Sequence, residues 1–267
     1  MRSFRPDYYD DFKCIGGSCT HTCCAGWEIG VDSETLRIYR DFPDIMSHIK
    51  DSCIITEGPE ERCPFLLENG LCDLIIKYGE DILCDICADH PRFRNYENGV
   101  EYLGLGLCCE AACDLILDRK EKFSLVPKTE LPYGIDLISD IEGKISSVIG
   151  GLAEDDISST GRAKFFLTFE ILDGKWEKLL NDLIMEPVSA NDRDNYIDSY
   201  PVQFKNLMIY FLYRHKGNRN YAVQSCRMIA EVCVRSGIGL KEISRMYSAE
   251  VEYSDINTEI MENIGKE

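Results

Sequence analysis

The sequence predicts a mainly α protein in two parts. A cysteine-rich N-terminal half of short helices and β-hairpins surrounds a metal cluster, and a helical C-terminal half follows. Three observations predict this. Twelve of the 14 cysteines precede residue 114, many of them beside glycine, proline or asparagine turns. Beyond residue 135 the apolar residues recur at helical spacing, with only Cys226 and Cys233 among them. Between the two lies a polar, proline-containing stretch. The expected division is therefore 1–118 for the cysteine-rich region, 119–134 for a connector and 135–267 for the helical region.

Residues 1–31 read as an irregular entry segment, in which Gly16, Gly17 and Gly26 permit tight turns around Cys14, Cys19, Cys23 and Cys24. Asp32 or Ser33 caps a following helix with a stripe of Leu36, Tyr39, Ile45, Met46 and Ile49, and Pro43 is placed to split it. Cys63–Leu67, the turn Glu68-Asn69-Gly70 and Leu71–Ile75 read as a hairpin that brings Cys63 near Cys72. Gly79–Asp89 reads as one short helix carrying Cys84 and Cys87, and Pro91 ends it. Phe93–Tyr96 and Val100–Leu103 flank Asn98-Gly99 as a second hairpin. Cys109–Asp118 is helical, with Cys109 and Cys113 one turn apart. After the connector, helices are expected over 136–149, 159–184, 204–214, 221–235 and 240–251, with a short one near 255–264.

Composition narrows the function. Hydrophobic residues make up 45% of the 267 and charged residues 28%, which is ordinary globular composition. A formal net charge of −18 argues against binding a phosphate backbone, and so against nucleic acid, and suits a cationic, lysine-bearing partner. No apolar run approaches the roughly 18–20 residues that span a bilayer, and the first residues carry no apolar leader, so the expectation is a cytoplasmic protein without a membrane partner. In a reducing compartment the cysteines are thiols, and metal binding explains their number better than disulfides do.

Cys19-x3-Cys23-Cys24 crowds three thiols into one turn-rich segment. Neighbouring side chains point apart, so the Cys23-Cys24 pair reaches different atoms of a cluster more easily than one zinc ion. Cys84-x2-Cys87 has the spacing that lets two sulfurs converge on a metal. Cys63, Cys72 and Cys108 stand beside turns or element ends, where ligands are easily presented. Thiolates select zinc and iron–sulfur clusters, so both remain open from the residues alone. The bland reading is that free cysteines pack as small hydrophobes, and it holds best for Cys226 and Cys233. His21 lies inside the first cysteine segment and His90 just after the Cys84-x2-Cys87 motif; each is open as a ligand, with a supporting or surface role the favoured reading. Gly104-Leu-Gly106 completes neither a dinucleotide fingerprint nor a phosphate loop.

These blocks resemble a known family. Phe12-x-Cys14-x4-Cys19-x3-Cys23-Cys24-x-Gly26-Trp27-x-Ile29 is similar to the opening signature of the flagellin lysine-N-methylases (FliB-like), within the CxxCxxCC cysteine-cluster proteins. Cys63-Pro64-Phe65-Leu66, Gly70-Leu71-Cys72, Leu83-Cys84-x2-Cys87, Pro91-Arg92 and Leu107-Cys108-x-Glu110-Ala111 resemble its second block. Asn206 to Arg214 resembles its late helix. His90 stands where the family has tyrosine, and Cys109 where it has proline. The resemblance implies an iron–sulfur cluster of the [4Fe–4S] type and methyl transfer from S-adenosylmethionine to lysines of flagellin-like proteins. The implied metal ligands are drawn from Cys19, Cys23, Cys24, Cys63, Cys72, Cys84, Cys87 and Cys108. Arg92 is assigned to the donor's carboxylate, and Glu110 to steering the lysine or taking its proton, against a plain salt bridge with Arg92. The alternative is a non-enzymatic protein whose zinc or cluster is structural.

Overall fold

The computed structural model describes residues 2–97, 99–127 and 157–264. The expected helix over 136–149 lies outside them. Helices dominate the described residues, as the sequence predicts, and none is long and apolar enough to cross a membrane. The chain forms two compact units: a smaller one of residues 13–93 with 109–111, and a larger one built from the rest.

The chain opens with β1 (Arg2–Pro6) in the larger unit and then enters the smaller. There β2 (Ile29–Gly30), β3 (Ile49–Lys50) and β4 (Cys53–Ile54) form a small antiparallel sheet in the order β2-β4-β3. Helix α1 (Ser33–Tyr39) starts at Asp32, whose carboxylate accepts the amides of Glu34 and Thr35. Helix α2 (Pro43–Met46) begins at the proline that was expected to split the run. Helix α3 (Asp73–Tyr78) corrects the first hairpin. The turn at Asn69-Gly70 forms and Leu66 bridges to Cys72, but the returning segment coils at once. An Asp73–Lys77 ion pair one turn apart supports the helix there. The single helix expected over 79–89 is two pieces. A 3₁₀ turn at Glu80–Ile82 ends in extended Leu83 and Cys84, and α4 (Asp85–Asp89) follows. Asp32 also accepts the Asp85 amide at 3.1 Å, so one carboxylate caps both α1 and α4 and is pulled down to about 2 by these bonds, that of Thr35 foremost.

The chain leaves the smaller unit within β5 (Arg92–Glu97), which makes the second expected hairpin with β6 (Val100–Leu105). Helix α5 (Glu110–Leu117) and β7 (Leu125–Pro127) follow. The larger unit's sheet has the order β5-β6-β1-β7, with β1 parallel to β6 and antiparallel to β7.

Among the described residues seven helices follow: α6 (Ser159–Phe166), α7 (Gly174–Met185), α8 (Ala190–Ser199), α9 (Pro201–Arg214), α10 (Arg219–Ser236), α11 (Leu240–Val251) and α12 (Asp255–Glu262). The helix expected over 159–184 is broken between α6 and α7. Glu250 on α11 explains the break, since its carboxylate accepts the amides of Leu172 and Asp173 at 2.8 and 2.9 Å. Helices α9 and α10 are buried along most of their length, and Cys226 and Cys233 pack in this core as expected.

The polar side chains of α9 tie this core to the sheet. Asn206 accepts the Phe123 amide and donates to Ile116 O. Tyr210 Oη accepts the Leu107 amide. Tyr213 Oη lies 2.7 Å from Phe4 O and 3.0 Å from Leu103 O, reaching adjacent strands. Removing that hydroxyl in Tyr213→Phe leaves buried carbonyls short of a donor, which costs about 1–3 kcal/mol. The expected outcome in thermal denaturation is a lower Tm with an unchanged far-ultraviolet dichroism spectrum.

Candidate metal centre

Ten of the fourteen cysteines lie in the smaller unit. Short tertiary links bring the distant ones together. The Cys63 amide donates to Cys24 O at 2.8 Å, and Ala25 bridges to Arg62. The Asp73 amide donates to Phe65 O, which folds Cys72 back toward Cys63. Cys84 is the N-cap of α4, and its carbonyl accepts the Cys87 amide at 3.0 Å, which turns both thiols inward. The result is one apolar cluster in which Cys63 and Cys84 are buried with Ile29, Val31, Tyr39, Ile45, Phe65 and Leu74. Cys24, Cys72 and Cys87 pack against it.

These five thiols feel one another's charge. Burial pushes the Cys63 thiol up to about 11. Cys23 with Cys24 and Cys84 with Cys87 form hydrogen-bonded pairs in which one thiol is held down by its partner and the other held up. Tyr39, fully buried, stands among Cys72, Cys84 and Cys87. Among the described residues, no three His, Cys, Asp or Glu side chains converge closely enough to hold a single metal ion.

The other expected ligands divide differently. Cys23 faces Cys14 and Cys109 as well as its neighbour Cys24. The Cys19 Sγ lies 3.2 Å from His21 O and 3.6 Å from Glu110 Oε2, and Cys109 is near it. Cys108 belongs to the larger unit, where Arg214 and Tyr253 stand beside it. Gly106 lies under the same pair, with no room for a side chain against the Tyr253 hydroxyl.

Glu110 is the clearest polar feature of the smaller unit. Its Oε2 accepts both the amide and the hydroxyl of Thr20, each at 2.8 Å. Burial pushes this carboxyl up, but the Thr20 bonds, Cys19 and His21 outweigh it and hold the group below the ordinary carboxylate range. The sequence holds no signal for this clamp, because Thr20 and Glu110 are 90 residues apart. Arg92 opens β5 directly after the cis His90-Pro91 bond. Burial pushes His90 down to about 4, so it is neutral, and its ring leans on Trp27 at 6.1 Å. Trp27 Nε1 in turn donates to Cys23 O.

The comparisons with known proteins agree on one group. The chain is 28% identical over 139 residues to the lysine-N-methylases of Salmonella choleraesuis and Salmonella typhimurium, which covers 46% of this chain and 34% of each of them. It is 28% identical over 138 residues to the flagellar biosynthetic protein FliU of Salmonella muenchen, covering 46% of this chain and 81% of that protein. The matched part thus spans about a third of the length of the lysine-N-methylases. No family model matches, and no solved structure matches.

A depressed carboxyl contributes its stabilisation above its unfolded-state value and loses it as pH falls through the folded one. The Thr20 clamp is therefore in place at neutral pH and opens on acidification. Glu110→Ala should open it at every pH. Amide hydrogen exchange read at Thr20 checks this, with faster exchange expected in the variant and no change for amides in the core of α10.

Proposed function

We propose that the protein is an S-adenosylmethionine-dependent lysine N-methyltransferase acting on flagellin-type proteins, and that its smaller unit holds an iron–sulfur cluster. The observation that carries this reading is the similarity to lysine-N-methylases, joined to five thiols collected in one apolar core. The donor set fits a cluster better than a single ion. A zinc ion needs its sulfurs about 2.3 Å from one point, whereas a cluster spreads its ligands over several irons. Five thiols in one core supply more sulfur than a four-coordinate zinc ion uses, which suits the second case. Cys24, Cys63, Cys72, Cys84 and Cys87 are the residues that would hold it, with Cys19 and Cys23 as the remaining candidates in that unit. When bound, such a cluster supplies a Lewis-acidic iron or an electron.

The chain's own residues have separate tasks. Glu110, held low, stays ionised at neutral pH and serves as the anion that orients a lysine ammonium. Its contacts with Thr20 and Cys19 all fall on Oε2, so Oε1 is the oxygen assigned to the lysine. Arg92 is assigned to the carboxylate of the methyl donor.

Purified without oxygen, the protein should be brown, contain iron and sulfide, bleach in air, and transfer labelled methyl from S-adenosylmethionine to lysine in flagellin. A colourless protein with stoichiometric zinc and no sulfide sinks the cluster. A cluster-replete protein that neither binds the donor nor labels flagellin sinks the transferase.

Cysteine variants separate ligand from core. Cys84→Ser replaces a soft ligand with a poor one. Cys233→Ser puts an unpartnered hydroxyl in a helical core, which costs about 1–3 kcal/mol. Iron per polypeptide after anaerobic reconstitution should fall in Cys84→Ser alone, while Cys233→Ser lowers only Tm. Equal iron in both removes Cys84 from the ligand set.

A further inference from the structure

The smaller unit exposes an apolar face next to its first thiol segment. Ile15, Leu71, Ile75 and Ile76 are 39%, 41%, 38% and 58% exposed. They flank two turns that pack on each other. The Gly16-Gly17 turn packs on the turn at Asn69–Leu71, so closely that a side chain on Gly17 would meet Asn69 O. Leu71 Cδ2 lies 3.3 Å from where a side chain on Gly16 would begin, which sets Leu71 beside Ile15. Leu71 precedes the N-cap of α3, and Ile76 is the fourth helical residue after that cap, the spacing at which two side chains meet over a helix start. Ile75, next to Ile76 on the same helix, is exposed as well.

Exposed aliphatic side chains gathered this way mark interaction surfaces more often than isolated ones do. Lys13 stands two residues before Ile15, whereas the α3 side of the face is acidic. Residues 66–82 carry Glu68, Asp73, Glu80 and Asp81 against Lys77 alone, and Lys77 is bound to Asp73 at 2.6 Å. Glu68, Glu80 and Asp81 are exposed, the last two on the 3₁₀ turn that packs against α3. The face therefore offers apolar contact at its centre and negative charge at its edge.

We propose that the face of Ile15, Leu71, Ile75 and Ile76 docks a lysine-bearing amphipathic segment of a protein partner, its apolar side on the isoleucines and its ammonium groups toward Glu68, Glu80 and Asp81. This rests on the lysine-methyltransferase reading for its purpose and names the surface that would recruit the substrate. Apolar anchoring supplies affinity, and the acidic rim supplies sign selectivity and salt dependence.

The test uses the full chain, purified without oxygen, and two fluorescent amphipathic peptides that share their apolar residues but carry either lysines or glutamates. The lysine peptide should bind, more weakly with added salt, and the glutamate peptide should not. Ile75→Ser with Ile76→Ser, and separately Glu80→Lys with Asp81→Lys, should each weaken the lysine peptide tenfold or more with iron content and Tm unchanged. Equal affinity for the wild type and the isoleucine variant overturns the proposal, even where methyl transfer to flagellin is intact. A wild-type dimer that Ile76→Asp dissociates overturns it too, by making a second copy the occupant. Peptide binding that the isoleucines control, without any methyl transfer, upholds the docking face and sinks the transferase reading instead.

Discussion

The interior of the smaller unit must be closed by thiols. Its strands are two residues each and its helices four to seven, too short to bury much apolar surface on their own. Two of its ten fully buried cluster residues are cysteines, and three more thiols pack on the same cluster. A neutral thiol is tolerated there as a small hydrophobe. A thiolate in the same place needs a positive partner, which is why burial pushes Cys63 up. These five thiols come from four separate segments that only the folded chain assembles, so in the proposed cluster-bound form metal binding and folding would be one equilibrium. The Asp32 carboxylate serves the same end without metal, by fixing the starts of α1 and α4 and with them the approach of Cys84.

The larger unit solves the opposite problem, an ample core that needs orientation. Aromatic rings fill it, with Phe166, Phe211 and Trp176 around Tyr247. Polar groups on α9 reach out of that core to backbone atoms in both sheet and loop. Glu252 anchors the last turn of the helix, accepting from Tyr210 and Ser248 and facing Arg214 and His215. Its burial would push it up, yet Arg214 and His215 outweigh that and keep it a carboxylate. A buried charge so fully paired is destabilising to break and selects one packing. This gives a physical meaning to the pattern Asn206, Tyr210, Tyr213 and Arg214, residues three or four apart that share one side of the helix.

What was legible in the sequence was local. The Asp32 cap, the split at Pro43, the hairpin before Val100 and the buried faces of α9, α10 and α11 all follow from short-range rules. The misreadings were set from a distance or by weak signals. The break before α7 is made by Glu250, far along the chain, so an unbroken apolar stripe hid it. Helix α8 escaped because only Arg193 along it is buried, and that arginine reaches Glu231 rather than an apolar neighbour. Leu71 to Ile75 alternates too little to separate a strand from a first helical turn. For the centre, motif spacing singled out cysteines of which five gather in one apolar cluster, but it could not sort them. Cys24 and its neighbour Cys23 look alike in sequence and face different thiols in the fold.

Lysine methylation makes two opposed demands on a carboxylate. Holding the ammonium asks for a group ionised at every working pH, whereas taking its proton asks for one poised near neutrality. Glu110 meets the first demand and not the second, because Thr20 donates twice to it and drags it down. His90 is no substitute, since burial has pushed it down to about 4 and left it a weak base. The arrangement around Thr20 therefore favours binding and orientation over proton abstraction. In the proposed reaction a carboxylate beside the ammonium favours its charged form, so the proton passes to bulk water before the methyl transfer, and Glu110 acts by placing the lysine rather than by activating it.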